Sequence, residues 1–379
     1  MTHQNLFDRI AARIDEQGRI TFADYMAACL YEPGLGYYTS PGRKVGVEGD
    51  FYTSITVHAA YGRVVAREVA AMWRSLEQPA EFTLMEVGAG HGRLACDILD
   101  FLKEREPACY AASRPVLVEQ EPTLAGAQRQ VLHEHADKLR WLTPAELASG
   151  IRFRGVLYSN ELLDALPVHR VLMTPEGLRE IYVTREGEQL KEQLGPPSTP
   201  ALAEYLSRYG MPLMPGQEAE VSLAALDWFD SVVAGLEQGF ILTVDYGYAK
   251  EELYAPHRKL GTLLCYHKHR VEDNPYQLLG EQDITSHVNF SALIQRGEEQ
   301  GVKTLWFGEQ CRFLLAAGMV EEFEAIETSS LSEAEKLKKR LTLKRLIMPE
   351  GGMGDTFRVL VQSKGVPQAA LGCLRGIGI

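Results

Sequence analysis

The stretch EVGAGHGRLACDIL, Glu86 to Leu99, decides how this chain is read. Ahead of it runs FTLM, a short apolar segment of strand type that ends at Glu86. Behind it Leu94, Ala95, Ile98, Leu99 and Leu102 recur at helical spacing. Gly88, Gly90 and Gly92 therefore fall on a strand-to-helix turn, where glycine permits a tight bend and lets a ligand approach the backbone. A turn of this kind can also be a plain bend, so its spacing matters. A dinucleotide fingerprint reads GxGxxG, and its third glycine would fall on Arg93 here.

GxGxG preceded by an acid is instead the form used by enzymes of S-adenosyl-L-methionine (SAM), which have no pyrophosphate to seat on the helix N-terminus. The next strand, PVLVEQEP, ends in Glu119. An acid at that position can accept both ribose hydroxyls of a nucleoside; the plain alternative is a solvated acid at a strand end. Together these residues predict a SAM cofactor bound by Glu86, Gly88, Gly90, Gly92 and Glu119.

Outward from this turn, short apolar strands alternate with helices from Phe82 onward: FTLMEVGAG, PVLVEQ, a weak strand near LRWL, RGVLYSNE, GFILTVDYG, GTLLCYHKH and TFRVLVQSKG. That alternation predicts an α/β fold, a mostly parallel, doubly wound sheet with helices on both faces. Residues 1–80 read as a helical region covering the active site. It has apolar helical spacing over residues 5–30, a Gly/Pro/Tyr-rich loop in YEPGLGYYTSPGRKVGVEGDFYTS, and a second helix from Tyr61 to Leu76. Residues 81–171 and 236–379 form the expected core. The segment 172–235, with the hairpin LREIYVTREGEQLKEQL, the run GPPSTP and two polar-faced helical stretches, reads as an inserted subdomain for substrate or partner access. Glu321 to Arg345 reads as a solvated helical face.

The chain of 379 residues is 45% hydrophobic and 24% charged, an ordinary globular balance. A net charge of −12 argues against nucleic acid and anionic membrane surfaces as partners. Six scattered cysteines without a CxxC pair read as reduced thiols. The acids Asp8, Asp15 and Glu16 near the N-terminus are unlike a mitochondrial transit peptide and read as mature protein, and the reduced thiols make a cytoplasmic location the expectation. No apolar run approaches the length of a membrane span.

EVGAGHGRL, LVEQEPTL, SNELLDALPVHR, LTVDYGY, GTLLCYHKHRVEDNP and GEQDITSHVNFSAL, in that order, resemble the MidA-like family. The resemblance runs from about Asp24 to Leu314. It implies a class I, Rossmann-like SAM-dependent methyltransferase related to the mitochondrial complex I assembly-factor arginine methyltransferase. It also implies protein arginine N-methylation, with a protein substrate such as a subunit of a respiratory or other complex. One departure bears on the substrate: after GDFYTS the family continues with a Pro-Glu-Ile-Ser type run into Phe-Gly-Glu, where this chain has ITVHAAYGRVVAREV.

A second stretch, VLYSNELLDALPVHR, gives the chemistry its candidates. Asn160, Glu161 and Asp164 follow the fourth strand at its carboxyl end, where open α/β sheets bind ligands. Paired carboxylates can hold a guanidinium fork and draw its charge from the attacking nitrogen; the alternative is that they cap the next segment. Asp245 either lines the same cleft or closes the fifth strand with a turn. Cys265, His267 and His269 alternate as a strand displays them, but no fourth ligand is near and no metal is expected. His287 reads equally as a core or substrate-lining residue. No GxSxG elbow supports hydrolysis. Two rival functions remain: an NAD(P)-dependent oxidoreductase, disfavoured by the glycine spacing, and a SAM-fold assembly chaperone without catalysis, disfavoured by the intact turn and Glu119.

Overall fold

The structure is a computed structural model and describes residues 2–40, 58–268, 270–348 and 353–375. GDFYTS, the start of ITVHAAYGRVVAREV and His269 lie outside the described residues. The chain forms two compact units. One comprises Thr53–Leu162, Asp230–Asp245 and Gly297–Ile379; the other comprises Met1–Tyr52, Leu163–Phe229 and Tyr246–Arg296.

The first unit is built on a mixed sheet. Its strands are β1 (Phe82–Val87), β2 (Ser113–Val118), β3 (Arg140–Leu142), β4 (Phe153–Asn160), β5 (Leu236–Tyr248), β6 (Val302–Glu309) and β7 (Phe357–Lys364). They lie in the order β6-β7-β5-β4-β1-β2-β3. Pairing is parallel from β5 through β4, β1 and β2 to β3, and antiparallel between β6 and β7. This is the expected α/β sheet, except that the GTLLCYHKH strand, Leu264–His267, lies in a separate three-stranded antiparallel sheet. β1 and β4 are buried almost throughout, which is why they read as unbroken apolar runs. The chain steps from β1 outward to β2 and β3, then returns to β4 on the other side of β1. The order therefore reverses between β1 and β4, and the crevice outside their carboxyl ends is the natural ligand site.

The central strands approach unusually closely at one level. A Cβ on Gly155 of β4 would lie 2.0 Å from the Thr83 carbonyl oxygen of β1, and one on Gly239 of β5 1.8 Å from the Gly155 oxygen. Helix α1 (Ala60–Ser75) packs on α2 (Arg93–Arg105), where a Cβ on Gly62 would lie 2.5 Å from Asp97 Cβ. The region read as a solvated face holds an exception. Glu322 is 4% exposed, and its carboxylate accepts from Arg63 Nε at 2.7 Å and an Arg67 guanidinium nitrogen at 2.7 Å. Two guanidinium partners on α1 offset the cost of burying that charge.

The second unit has an antiparallel sheet in the order Ile20–Thr21, Gly177–Glu186, His169–Thr174, Glu218–Val221, with Gln189–Gly195 on Gly177–Glu186. The expected hairpin is thus formed. Leu6, Ile10, Ile14, Phe22 and Met26 of the N-terminal helices share one core with Val183, Cys265 and Ile284. Because of that shared core, the N-terminal residues, most of 172–235 and 246–296 make up one body, whereas α1 belongs to the other. No helix among the described residues is long and apolar enough to cross a membrane.

Gly155→Ala places a methyl group against backbone and forces alanine to φ +154°. Backbone strain and overpacking of this kind each cost about 1–3 kcal/mol. Urea unfolding should show a loss of roughly 2–5 kcal/mol; a change under about 0.5 kcal/mol, the size of an ordinary surface effect, would contradict the close approach of β1 and β4.

Candidate functional site

The loop after β1 is shaped by its glycines. Gly88, Gly90 and Gly92 have φ of +75°, +50° and +80°, the left-handed region that glycine enters without strain. A Cβ on Gly88 would lie 2.9 Å from Leu162 Cδ1, and one on Gly92 3.2 Å from Leu132 Cδ1, whereas Gly90 borders open space. Side chains at the outer two positions would press on Leu162 and Leu132, and the middle glycine leaves the backbone approachable. The Gly92 N–H donates to the Ala89 carbonyl at 2.7 Å, and the Gly92 carbonyl accepts from Cys96 N–H at 3.1 Å in the first turn of α2.

Glu86 lies beneath this loop and is buried. Its carboxyl accepts from the Tyr158 hydroxyl at 3.1 Å and from the Ala95 N–H, tying α2 to β4. Burial pushes its pKa up to about 8, against the pull of those two donors. Glu119 follows β2 and is half-buried, with one carboxylate oxygen accepting from Glu121 N–H at 2.9 Å and the other from the Gln128 side-chain amide at 3.0 Å. Burial raises its pKa as well, opposed by the same donors and by the Gln120 N–H. The Gln128 amide also donates to the Gly90 carbonyl at 2.8 Å, and its oxygen accepts from the Trp141 indole N–H at 2.8 Å. Gln128, on α3 (Pro122–Val131), is fully buried. Sequence reading missed it, because a buried glutamine in an amphipathic helix has the same spacing as an exposed one.

At the end of β4, Asn160 is buried and its amide oxygen accepts from the Tyr61 hydroxyl at 2.6 Å. The amide nitrogen donates to a Glu161 carboxylate oxygen at 2.9 Å. Glu161 has φ +53°, a conformation that carries strain for any residue with a side chain, and its N–H donates to the Val244 carbonyl at 2.9 Å. Tyr61, also missed from sequence, stays a protonated donor: burial raises its pKa, and Glu161, Glu86 and Asp245 add to the rise. Asp245 is fully buried and accepts the Leu162 N–H at 3.1 Å, so it closes the turn after β4.

The structure therefore joins Asn160 to Glu161 directly, whereas Asp164 belongs to the second unit. There its carbonyl accepts from Ser286 N–H at 2.9 Å. Tyr31 and Tyr38 stack beside it with raised pKa values, through burial first and then the charges of Asp283 and Asp164. The Tyr38 hydroxyl reaches both Asp283 oxygens at 2.9 Å. His287 stacks on Tyr246 and meets Tyr248 edge-on. Cys265 is buried with its thiol pushed up to about 12, and His267 Nδ1 is 2.8 Å from the Glu281 carbonyl. Cys96, Asp100 and His135 place ligand atoms within 4.8 Å of one another. His135 already bonds to Asp100 at 3.1 Å and to the Tyr110 hydroxyl at 2.9 Å, and burial pushes the Cys96 thiol up to about 11. The trio satisfies itself as a staple between α2 and the segment 133–135.

Four similarities bear on what the site does. Residues 64–308 match the family described as "Putative S-adenosyl-L-methionine-dependent methyltransferase". A crystal structure of a superfamily member from Burkholderia thailandensis, bound to S-adenosyl-homocysteine, is similar at a TM-score of 0.87 and 30% identity over 99% of this chain and 96% of that one. The Drosophila melanogaster "Protein arginine methyltransferase NDUFAF7 homolog, mitochondrial" is 28% identical over 97% of this chain and 87% of its own length. The Homo sapiens protein of corresponding name is 27% identical over 91% and 80%. These relatives are named mitochondrial, which corrects the expectation of a cytoplasmic location. Cys29, Cys96, Cys109, Cys265, Cys311 and Cys373 are all free.

The elevated Glu86 pKa makes stability depend on pH. As pH rises above the ordinary value of 4.5 the unfolded chain loses this proton first, while the folded chain keeps it up to about pH 8. The stabilisation present at low pH is thus lost across that window. Glu86→Gln removes the loss, so its melting temperature relative to wild type should climb steadily from about pH 5 to about pH 8. An offset that is constant over this range would overturn the assignment.

Proposed function

The chain belongs to the family of S-adenosyl-L-methionine-dependent methyltransferases, and on that footing we propose that the group it methylates is an arginine nitrogen of a protein substrate. The observation that carries the proposal is the acceptor pair Asn160–Glu161 at the carboxyl end of β4, beside the glycine loop. The relatives' naming as protein arginine methyltransferases supports it.

The donor is SAM, and the residues present suit it. Gly90 leaves the loop approachable, and Glu119 presents a fixed carboxylate whose remaining lone pairs can accept ribose hydroxyls. Bound SAM supplies an electrophilic methyl on a positively charged sulfur. Transfer forms a nitrogen–carbon bond, breaks the sulfur–carbon bond and releases one proton from nitrogen. Glu161 accepts N–H bonds from the guanidinium, which pulls positive charge away from the attacking nitrogen, and takes up the released proton. Tyr61 holds the Asn160 amide so that its N–H₂ faces Glu161, and the Val244 carbonyl holds Glu161 in its strained turn. These fixed partners supply orientation before substrate arrives. The segment 172–235 takes the role of protein recognition, and Asp164, three residues after Glu161 in the sequence, is assigned to the substrate rather than the donor. The substrate class is a subunit of a larger assembly, including a respiratory complex.

Methyl incorporation from radiolabelled SAM into lysate proteins, with S-adenosyl-homocysteine affinity measured in parallel, tests this. Glu161→Gln should slow transfer by roughly 10- to 150-fold, the kinetic equivalent of about 1.5–3 kcal/mol for a hydrogen bond to a charged group, with cofactor affinity near wild type. Tyr61→Phe should slow transfer less, and Asp164→Asn should reduce methylation without weakening the cofactor. Gly90→Val should abolish S-adenosyl-homocysteine binding. Full activity in Glu161→Gln, or label on an atom other than arginine nitrogen, would remove the arginine assignment; tighter binding of NADH than of S-adenosyl-homocysteine would remove the cofactor reading.

A further inference from the structure

We propose that Gln128 is the positioning residue for ribose recognition: one buried amide, anchored on the Gly90 carbonyl and the Trp141 indole, sets the orientation of Glu119. The inference rests on the reading that Glu119 takes the ribose hydroxyls. It begins from the chemistry of four groups. The Trp141 indole N–H is a donor only, whereas the Gly90 carbonyl and an ionised Glu119 carboxylate are acceptors only. The amide therefore has one workable orientation, its oxygen toward Trp141 and its two N–H groups toward Gly90 and Glu119, as the distances of 2.8, 2.8 and 3.0 Å require. Arg129 lies over the Trp141 ring, 4.4 Å from its centroid, and fixes the indole in turn.

Both amide hydrogens are used. The Glu121 N–H secures the other Glu119 oxygen, so the carboxylate plane is held from two sides. The Gln120 N–H is a third donor to this carboxylate, which is thereby oriented with its remaining lone pairs left for a diol. The Cβ that Gly92 lacks would press on Gln128 Cγ at 3.3 Å, so the loop and the glutamine are packed as well as bonded. Without Gln128, Glu119 would be free to rotate, and Gly90 would lose the partner of its carbonyl. A residue of this kind acts on the nucleoside through Glu119 and should reveal itself by ligand selectivity.

The test compares S-adenosyl-homocysteine with its 2′,3′-dideoxy analogue by calorimetry on the full chain. Gln128→Leu should weaken the parent ligand about tenfold, the equivalent of one lost hydrogen bond to a charged group, and the dideoxy ligand less than about twofold. In a Glu119→Gln background, adding Gln128→Leu should cost nothing further with the parent ligand. Trp141→Phe leaves the amide oxygen unheld and should give a smaller loss of the same selectivity; if Gln128→Leu does not fold, this variant decides the matter. Equal weakening of both ligands, or losses that simply add, would make Gln128 a packing residue and overturn the proposal. If Glu119→Gln alone binds S-adenosyl-homocysteine as tightly as wild type, the ribose reading has failed at its source, a result distinguishable from failure at Gln128.

Discussion

Val87 of β1 pairs in register with Val118 of β2 on one side and Ser159 of β4 on the other. That single level fixes the rest. The next residue on each strand is Gly88, Glu119 and Asn160, so the loop, Glu119 and the Asn160–Glu161 pair emerge side by side. Val244 pairs with Asn160, which brings Asp245 to the same edge. A slip of one residue in any of these pairings would invert the side chains and scatter the site. The glycines at 155 and 239 hold the strands at a spacing that leaves no room for a side chain between backbones.

The electrostatics follow from the same geometry. Glu86, Glu119, Glu161 and Asp245 collect at one edge of a sheet, in a chain that is already net negative. Carboxylates so placed repel one another and lose hydration, so each needs donors. Glu86 has a phenol and a backbone N–H, Glu119 a backbone N–H and an amide, Glu161 an amide, and Asp245 a backbone N–H. All of these donors are neutral. Glu86, which keeps its proton up to about pH 8, adds no negative charge to this edge at neutral pH.

Much of this was legible in the sequence because it rests on local pattern. The glycine spacing, the acid at the end of β2, the strands and the hairpin at 178–194 are all written in short windows. What escaped depends on distance along the chain. Tyr61 reaches Asn160 across 99 residues, and Arg63 reaches Glu322 across 259. Helical spacing shows that Glu322 and Gln128 lie on helices but says nothing of which face meets a partner. The grouping of the N-terminal helices with most of 172–235 was equally hidden, since it follows from one core drawn from distant segments. The cytoplasmic expectation failed for a different reason: cysteine usage reports redox conditions, and compartments share them.

The interrupted make-up of the sheet unit has a consequence for synthesis. Glu161 is held in its left-handed turn by the Val244 carbonyl, and the following N–H by Asp245, residues that leave the ribosome some 80 positions later. Until β5 has emerged and paired with β4, neither partner exists, and the strained turn has nothing to hold it. The glycine loop and Glu119, by contrast, draw on residues between 82 and 142 and can assemble early. A nascent chain thus completes the Gly88–Gly92 and Glu119 end of the site well before the Glu161 end, and domains fold as units during synthesis.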